Sequence, residues 1–220
     1  MVFQDRPDAG RRLAQKLTTY AHDPNALVLA LPRGGVPVGL EVARALDVPL
    51  DVFLVRKLGV PDHEELAMGA IASGGVRVLN EEVVEGFGIP RELIDAVAEK
   101  EERELRRREQ AYRAGRPAPV VEDRTVILVD DGLATGSSMR AAVAALRRQH
   151  PARIVVAVPV AAPATCDEFQ REVDEMVCVF TPEPFQAVGL WYQDFSQTTD
   201  EEIAALLAQA AGHRFAASNQ

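Results

Sequence analysis

The sequence predicts an α/β protein built around a doubly wound, mostly parallel β-sheet. Short apolar runs alternate with helical segments along the chain, for example at 26–31, 126–129 and 153–160. The first two of these runs are each followed at once by a glycine-containing loop and a helix, the strand–loop–helix unit of parallel sheets. The 220 residues, of which 47% are hydrophobic, suffice for one large domain with an added lobe.

The overall charge and hydropathy exclude several classes of protein. A formal net charge of −9 argues against nucleic-acid binding. No apolar run approaches the roughly 18 residues that a membrane helix needs, and the first residues lack the apolar core of a signal peptide. We therefore expect a cytoplasmic protein with neither nucleic-acid nor membrane partners. Cys166 and Cys178 lack metal-site spacing and are predicted to be small core residues.

The first strand–loop–helix unit lies near the start of the chain. Asp8 is predicted to cap a first helix that runs to about His22. Residues 26–31 are the first predicted strand, and a helix is predicted from about 36 to 46. Between them lies Pro32-Arg-Gly-Gly35. Two glycines and a cation in front of a helix suit an anion.

A second pair of cations follows the next predicted strand, residues 50–55. Arg56 and Lys57 come directly after it, and ligands of open α/β sheets bind at the carboxyl ends of strands. A pair of solvated surface charges is an equally good interpretation of these two residues. The polar residues 59–65 that follow are predicted to form a loop.

The middle of the chain carries a segment that the parallel sheet does not need, at about 80–120. Before it, residues 68–72 and 76–79 are predicted to form a β-hairpin across Ser73-Gly-Gly. Pro90, at the first helical position, then opens a long helix to about 113 that is dense in Glu and Arg. We interpret this inserted helix as exposed or partner-facing, outside the core sheet.

The most informative stretch is 126–138, Val-Ile-Leu-Val-Asp-Asp-Gly-Leu-Ala-Thr-Gly-Ser-Ser. A buried strand ends at Asp130 and Asp131, and a helix is predicted from about 139 to 148. Adjacent carboxylates repel a phosphate but accept hydrogen bonds from the vicinal hydroxyls of a ribose. The loop after them is made of small residues and hydroxyls next to a helix N-terminus, which suits a phosphate. Its residues are Ala134, Thr135, Gly136, Ser137 and Ser138.

The remaining elements complete the predicted core at residue 180. A strand at 153–160, a helix at 163–171 and a strand at 176–180 continue the alternation. A final helix is predicted at about 200–211.

Residues 181–197 differ from the rest, because they concentrate aromatic side chains in a chain that has only 5% of them. Flat rings suit stacking on a planar base. Trp191 and Tyr192 are therefore candidates for base contacts, together with the neighbouring Val188, and Asp194 for a polar or metal-linked role. Alternatively, these rings only fasten the tail onto the core.

The 126–138 stretch resembles the phosphoribosyl-diphosphate (PRPP) motif of type I phosphoribosyltransferases: four apolar residues, two acids and a phosphate loop rich in Thr, Gly and Ser. It is not a Walker A loop, since the Gly-Lys-Ser/Thr ending is absent. The resemblance implies the type I phosphoribosyltransferase fold for residues 1–180, with 80–120 as an insertion. In that family a small hood covers the nucleobase, and residues 181–220 look like such a hood segment with a C-terminal helix. The resemblance also suggests a homodimer.

By this resemblance, Asp130 and Asp131 orient the ribose of PRPP. The loop at Arg33 is the pyrophosphate loop, in which the family often has a non-proline cis peptide. Residues 59–65 correspond to a mobile loop that closes over the site, so that His63, Glu64 or Glu65 could touch the leaving group or base. The implied catalytic residues are Asp130, Asp131, Lys57 and Arg33. The implied PRPP-binding residues are Ala134, Thr135, Gly136, Ser137, Ser138, Gly34, Gly35 and Arg56, with Val188, Trp191 and Tyr192 at the base and Asp130, Asp131 and Asp194 (through water) at Mg²⁺.

The implied reaction is Mg²⁺-dependent transfer of the 5-phosphoribosyl group from PRPP to a nitrogenous base, a pentosyltransferase step of nucleotide salvage. The acceptor stays open: 6-oxopurine enzymes usually have an Asp where Ala134 stands, and no Lys occurs at 153–162 to contact a 6-oxo group. Asp-Asp-x-x-Ala-Thr-Gly is closer to the adenine and orotate types. A non-catalytic PRPP- or nucleotide-sensing regulator on the same fold is the main alternative. A hydrolase of a phosphorylated sugar is a third.

Overall fold

The computed structural model describes residues 2–61 and 63–217, and it describes the side chains of neither Glu64 and Glu65 nor the residues from 213 onward. In chain order the elements are α1 (Arg6–Ala14), β1 (Ala26–Ala30), α2 (Gly35–Leu46), β2 (Leu50–Val52), β3 (Val55–Val60), β4 (His63–Ala72), β5 (Val76–Leu79), α3 (Glu81–Gly86), α4 (Arg91–Arg113), β6 (Thr125–Val129), α5 (Ser137–Arg147), β7 (Arg153–Val160), α6 (Pro163–Glu172), β8 (Glu175–Phe180) and α7 (Asp200–Ala217), with 3₁₀ helices at Thr18–Tyr20 and Val188–Trp191.

Five parallel strands form the central sheet in the order β2-β1-β6-β7-β8. Alternate residues of its inner strands enter two separate apolar clusters, as Val28 and Ile127 do on one face and Leu27 and Leu128 on the other. Helices α2, α4 and α7 contribute to the first cluster, and α5 and α6 to the second. The predicted doubly wound α/β sheet is therefore confirmed.

The predicted single strand at 50–55 is wrong, because the chain changes sheets within it. β2 ends at Val52, and the Phe53 N–H still donates to the Ala30 carbonyl at 3.0 Å. From Val55 the chain belongs to a separate antiparallel sheet, β3-β4-β5. Since Phe53 and Leu54 are also buried, the apolar run continues unbroken across the change.

The predicted polar loop at 59–65 is also wrong for most of its length. β3 continues to Val60 and β4 begins at His63, with a turn at Pro61 between them. This pairing extends the predicted 68–72/76–79 hairpin, which is confirmed, into a three-stranded sheet. Polar composition alone does not separate a solvent-facing antiparallel hairpin from a loop.

Four helix ends differ from the expectations. The cap of α1 is Asp5, whose side chain accepts from the Asp8 N–H at 2.7 Å, and the helix ends at Ala14. Pro90 is the residue before α4 rather than its first residue. The final helix α7 is longer than predicted and runs to Ala217.

The long helix α4 is not simply exposed. Ile94, Ala98, Leu105 and Tyr112 are buried in the main cluster, and the helix contacts β3 and α7. Its other face carries Glu–Arg pairs such as Glu104 with Arg108. The helix is therefore amphipathic and closes one side of the molecule. No helix in the described part of the chain is long and apolar enough to cross a membrane.

Candidate active site

The site lies where the strand order reverses. β1 and β6 are neighbours in register, with Ala30 beside Val129, yet their connections run to opposite sides of the sheet. A crevice forms at the carboxyl ends of strands at such a switch point. The loop after β1 and the acids after β6 therefore emerge side by side, and the Leu31 N–H donates to the Val129 carbonyl at 2.8 Å.

The loop after β1 packs directly against the acids. Its Pro32–Arg33 peptide is cis, as the family resemblance implied, and Arg33 is exposed. A Cβ added to Gly34 would lie 1.9 Å from Asp131 Oδ2, and one added to Gly35 would lie 2.7 Å from the Val129 carbonyl oxygen. Only glycine fits at these two positions, because the backbone itself forms the wall of the acid site.

The loop after the acids presents the start of α5 to solvent. Gly136 precedes the helix with φ 70°, and no side chain caps it. Uncapped N–H groups and the helix dipole favour an anion at this point. Thr135, Ser137 and Ser138 are exposed around it and add hydroxyl donors. The predicted phosphate loop thus lies at an uncapped and exposed helix start.

Two residues that sequence reasoning missed hold this loop in place. Thr165, in the first turn of α6, donates from Oγ1 to the Ala134 carbonyl at 2.6 Å. Arg140, on α5, donates from Nη1 to the Thr135 carbonyl at 2.7 Å and pairs with Glu172 at 3.0 Å. These two bonds fix the backbone of the loop at Ala134 and Thr135.

The carboxyl groups of Asp130 and Asp131 differ in the neighbouring groups that affect their pKa values. The Asp130 Oδ1 atom accepts from the Asp131 N–H at 2.8 Å. Burial raises the pKa of Asp130 well above its usual value, and the adjacent charge of Asp131 adds to the rise. Burial also raises the pKa of Asp131, whereas the hydrogen bond and charge of Arg6 act against that rise. The charge of Arg6 therefore favours the ionised form of Asp131.

Arg6 is a site residue that nothing in its sequence neighbourhood indicated. Its Nε atom donates to Asp131 Oδ2 at 2.8 Å. Nη1 donates to the Ser196 carbonyl at 2.7 Å, and Cζ lies 4.1 Å from the centroid of the Phe195 ring. Its role depends on a contact with a residue 125 positions away in the sequence. Local sequence patterns do not indicate such a contact.

Tyr192 does not offer a stacking surface in this structure. Its ring is buried against Phe3 and Phe195, with centroids 5.4 and 5.1 Å away. Its hydroxyl donates to the Asp131 carbonyl at 2.6 Å. Tyr192 thus holds the backbone of the acid pair, Asp130 and Asp131. The sequence had instead predicted a base contact for Tyr192.

The other predicted hood residues lie around the same loop. A Cβ on Gly132 would lie 2.6 Å from Val188 Cγ1, so the hood segment touches the loop of the acid pair. Trp191 packs edge-on against Phe180 at 5.2 Å. Asp194 is exposed and accepts from the Ser196 N–H at 2.9 Å, which lowers the pKa of Asp194.

Arg56 and Lys57 lie on the second sheet rather than in a loop after a parallel strand. Arg56 Nε donates to Glu101 Oε2 of α4 at 2.7 Å. Lys57 is exposed, opposite Ala70. Both line a cleft of about 580 Å³ between β3 and α4, together with Lys100. Arg56 is thus already engaged by a carboxylate.

Of the three residues predicted to contact the leaving group or base, 63–65, the structure describes the side chain of one. His63 is exposed at the start of β4, with its ring 6.1 Å from that of Phe87. The side chains of Glu64 and Glu65, predicted with it, lie outside the described residues.

The fold and the site together define a class: an α/β protein whose switch point places Asp130 and Asp131 between the glycine loop after β1 and the uncapped start of α5. The model of the phosphoribosyl transferase domain family matches residues 3–190. The chain therefore belongs to the phosphoribosyl transferase domain family, and the family resemblance seen in the sequence is confirmed.

Individual relatives agree with this assignment. A Mycobacterium tuberculosis H37Rv protein, whose name assigns it provisionally to the phosphoribosyl transferases, is 46% identical over 209 residues. The match covers 95% of this chain and 47% of that protein, so the chain spans about half the length of the curated relatives it matches. The crystal structure of TT1426 from Thermus thermophilus is 42% identical, with a TM-score of 0.85, over 95% of this chain and 99% of that one.

The residues present fit a magnesium ion held mainly by its substrate. In the described ranges, no group of three or more His, Cys, Asp and Glu side chains is placed to hold a metal. Mg²⁺ keeps several waters and usually binds through one or two carboxylates plus phosphate oxygens. The adjacent carboxylates of Asp130 and Asp131, beside the two loops predicted to bind phosphate groups, match that chemistry.

Proposed function

We propose that this chain transfers the 5-phosphoribosyl group from PRPP to a nitrogenous base and releases pyrophosphate, as a Mg²⁺-dependent glycosyltransferase. One observation carries the proposal: Asp130 and Asp131 stand between the glycine loop at 33–35 and the uncapped start of α5. PRPP is a ribose with a phosphate on one side and a pyrophosphate on the other. The order of loop, acids and loop corresponds to the order of its groups.

Each part of the ligand has its own set of residues in this proposal. Asp130 and Asp131 accept hydrogen bonds from the ribose hydroxyls, and residues 135–138 bind the 5′-phosphate. Arg33 and the backbone at 34–35 bind the pyrophosphate. Lys57, exposed on β3, is the further cation proposed for that group. Arg56 would have to leave Glu101 to take part.

The chemistry asks mainly for positioning and for stabilisation of charge. The bond between C1′ and the pyrophosphate oxygen breaks, its electron pair leaves with pyrophosphate, and a ring nitrogen of the base attacks C1′. Arg33 and Lys57 would stabilise the developing negative charge on the leaving group. The fixed carboxylates would hold the ribose in line. Bound Mg²⁺ would neutralise pyrophosphate charge, with Asp130 and Asp131 as its protein ligands and Asp194 linked through water.

For the base, the hood segment offers Val188 and Trp191 beside the loop at Gly132. Val188 touches that loop, and Trp191 remains partly exposed. The buried Tyr192 contributes instead through its bond to Asp131. These contacts support a flat acceptor without distinguishing one base from another.

Calorimetric titration with PRPP in the presence of Mg²⁺ tests the proposal. Wild type is expected to bind, and the double variant Asp130→Asn/Asp131→Asn to lose binding, because neutral amides neither repel each other nor attract Mg²⁺. Asp123→Asn is the matched control, since Asp123 is exposed and in a left-handed conformation that Asn tolerates. It should bind as wild type does.

The outcomes separate the alternatives. Pyrophosphate release with at least one member of a panel of bases supports the enzyme. Binding of PRPP without release by any base supports the non-catalytic sensor. A folded wild type that ignores PRPP contradicts both.

A further inference from the structure

We infer that Arg6 is a positioning residue for the ribose-binding acids, which locks the Asp131 carboxylate against the pyrophosphate loop and connects it to the hood segment. The inference rests on the proposed function, since it assigns Arg6 a part in binding PRPP. Arg6 is not placed to touch the substrate itself. It acts through Asp131.

The ion pair between Arg6 and Asp131 is largely withdrawn from solvent. Only 11% of the Arg6 side chain and 15% of the Asp131 side chain are exposed, and Nε lies 2.8 Å from Oδ2. The surface pairs of α4 differ, as Arg107 is 61% exposed. A pair shielded from water and salt keeps a fixed geometry, whereas exposed pairs contribute little.

The guanidinium of Arg6 is itself fixed on two further sides. Nη1 donates to the Ser196 carbonyl at 2.7 Å, and the Phe195 ring lies under Cζ at 4.1 Å. A planar guanidinium can donate to two acceptors and stack on a ring at once, which an ammonium group cannot do. Arg6 thus links the position of the hood segment to the position of the Asp131 carboxylate.

Asp131 is consequently held at two places: Arg6 binds its side chain and Tyr192 binds its backbone. Tyr192 binds its carbonyl at 2.6 Å, while Arg6 binds its Oδ2. A Cβ on Gly34 would lie 1.9 Å from that same Oδ2 and 3.1 Å from Arg6 Nε. The carboxylate, the pyrophosphate loop and Arg6 therefore meet at one point, with no room for the carboxylate to turn toward the loop.

The positive charge of Arg6 matters because two like charges lie next to each other in the site. Asp130 and Asp131 are adjacent carboxyl groups in a poorly solvated place, where like charges repel strongly. Without a cation, Asp131 would turn away from its neighbour and the two would no longer face one ribose. Arg6 offsets the repulsion through its ion pair with Oδ2 of Asp131.

The test compares Arg6→Gln, Arg6→Lys and Arg12→Gln by titration with PRPP and Mg²⁺, followed by the KM and kcat of pyrophosphate release. Arg12 is the matched control: it lies on the same helix, pairs with Asp8 at 3.0 Å and stacks on Phe3 at 5.4 Å. It resembles Arg6 in charge and in ring contact, but its ion pair is with Asp8.

Arg6→Gln is expected to weaken PRPP binding at least tenfold. Arg6→Lys should recover part of the loss, because it restores the positive charge but not the planar guanidinium group. Arg12→Gln should bind within about twofold of wild type. For the two Arg6 variants the loss should appear in the KM for PRPP more than in the KM for the base, since the acids contact the ribose.

Four results would overturn the inference. Unchanged PRPP binding by Arg6→Gln would do so while leaving the proposed function intact. An equal loss in Arg12→Gln would show that hood packing, not the Asp131 contact, is responsible. A folded wild type that does not bind PRPP removes the proposed function and the inference together. If urea denaturation shows that Arg6→Gln does not fold, Arg6→Lys decides, and binding equal to wild type contradicts the role.

Discussion

At the scale of single residues, glycine sets the shape of the site. Gly34, Gly132 and Gly136 each stand where a Cβ would meet another atom at 2.6 Å or less. The three contacts involve Asp131, Val188 and Phe169 in turn. The acid pair, hood segment and phosphate loop are thus brought together through backbone surfaces. The glycine-rich pattern of the two loops could be read from the sequence, but the atoms that require each glycine could not.

Replacing Gly136 by Ala should both destabilise the protein and weaken phosphate binding. The residue has φ 70°, and its Cβ would lie 2.6 Å from Phe169 Cε2. The left-handed backbone alone costs roughly 1–2 kcal/mol for a non-glycine residue, and the contact adds about 1–3 kcal/mol of overpacking. Urea denaturation measures the loss of unfolding free energy.

The control for this change is Gly88→Ala. Gly88 has φ 58° but no atom within 4 Å of its added Cβ, so only the backbone contribution applies. A Gly136 variant that is no less stable than the Gly88 variant would contradict the packing of Phe169 beneath the phosphate loop.

At the scale of elements, α4 shows what pattern reasoning captures and what it leaves out. Its extent was predicted within one residue, because Pro90, the Glu/Arg pairs and the following Gly115 mark its ends. Its packing was not predicted. Tyr112 donates to Asp200 Oδ1 at 2.7 Å across 88 residues, and Arg113 Nε donates to Asp51 Oδ1 at 3.1 Å. A helical period shows that a face is apolar without showing which element covers it.

The contact of α4 with α7 should weaken in alkali. Burial, then the hydrogen bond to Asp200, raises the pKa of Tyr112 from 10.0 to about 12. A pKa that is higher in the folded state means that the neutral phenol is stabilised by folding. This stabilisation is complete below pH 10, the unfolded value, and is lost as the pH rises from 10 to about 12.

Urea denaturation of wild type and Tyr112→Phe between pH 8 and 12 measures this loss. A rise from 10.0 to about 12 corresponds to roughly 3 kcal/mol, and the Phe variant should lack that part of the decline. Tyr20 titrates in the same range, with a pKa raised to about 12 by burial and Glu175, and it is unchanged in both proteins. Parallel pH profiles for the two would contradict the assignment.

At the scale of the whole molecule, the site joins segments from both ends of the described chain. The Phe3 N–H donates to the Trp191 carbonyl at 2.8 Å, and the Gln193 N–H donates back to the Phe3 carbonyl at 2.8 Å. The sequence predicted the parallel sheet, both loops and the acids, because each is a local strand–loop–helix pattern. It did not predict Arg6 or the role of Tyr192, because both depend on contacts with Asp131 from 125 and 61 positions away in the sequence.

Ligand at the acid pair should therefore slow hydrogen exchange far from the ligand. If the hood segment must release Asp131 when it opens, PRPP with Mg²⁺ at 100 times its Kd should slow exchange of the Phe3, Gln193 and Asp194 amides about 100-fold. The Ser73 amide, bonded to the Leu54 carbonyl in the connection between the sheets, is the internal control. Mass spectrometry of peptide fragments would show this difference, and equal slowing at both places would contradict the coupling.

The bridge between Phe3 and Tyr192 also bears on the order in which the protein acquires its parts during synthesis. Contacts between residues so distant in sequence form late, because a long loop must be closed before they are made. When residues up to 180 have left the ribosome, all strands of the central sheet are available, while Arg6 still lacks Phe195 and Ser196. The contacts of Arg6 that position the Asp131 carboxylate are thus expected to be complete only when Phe195 and Ser196 have left the ribosome.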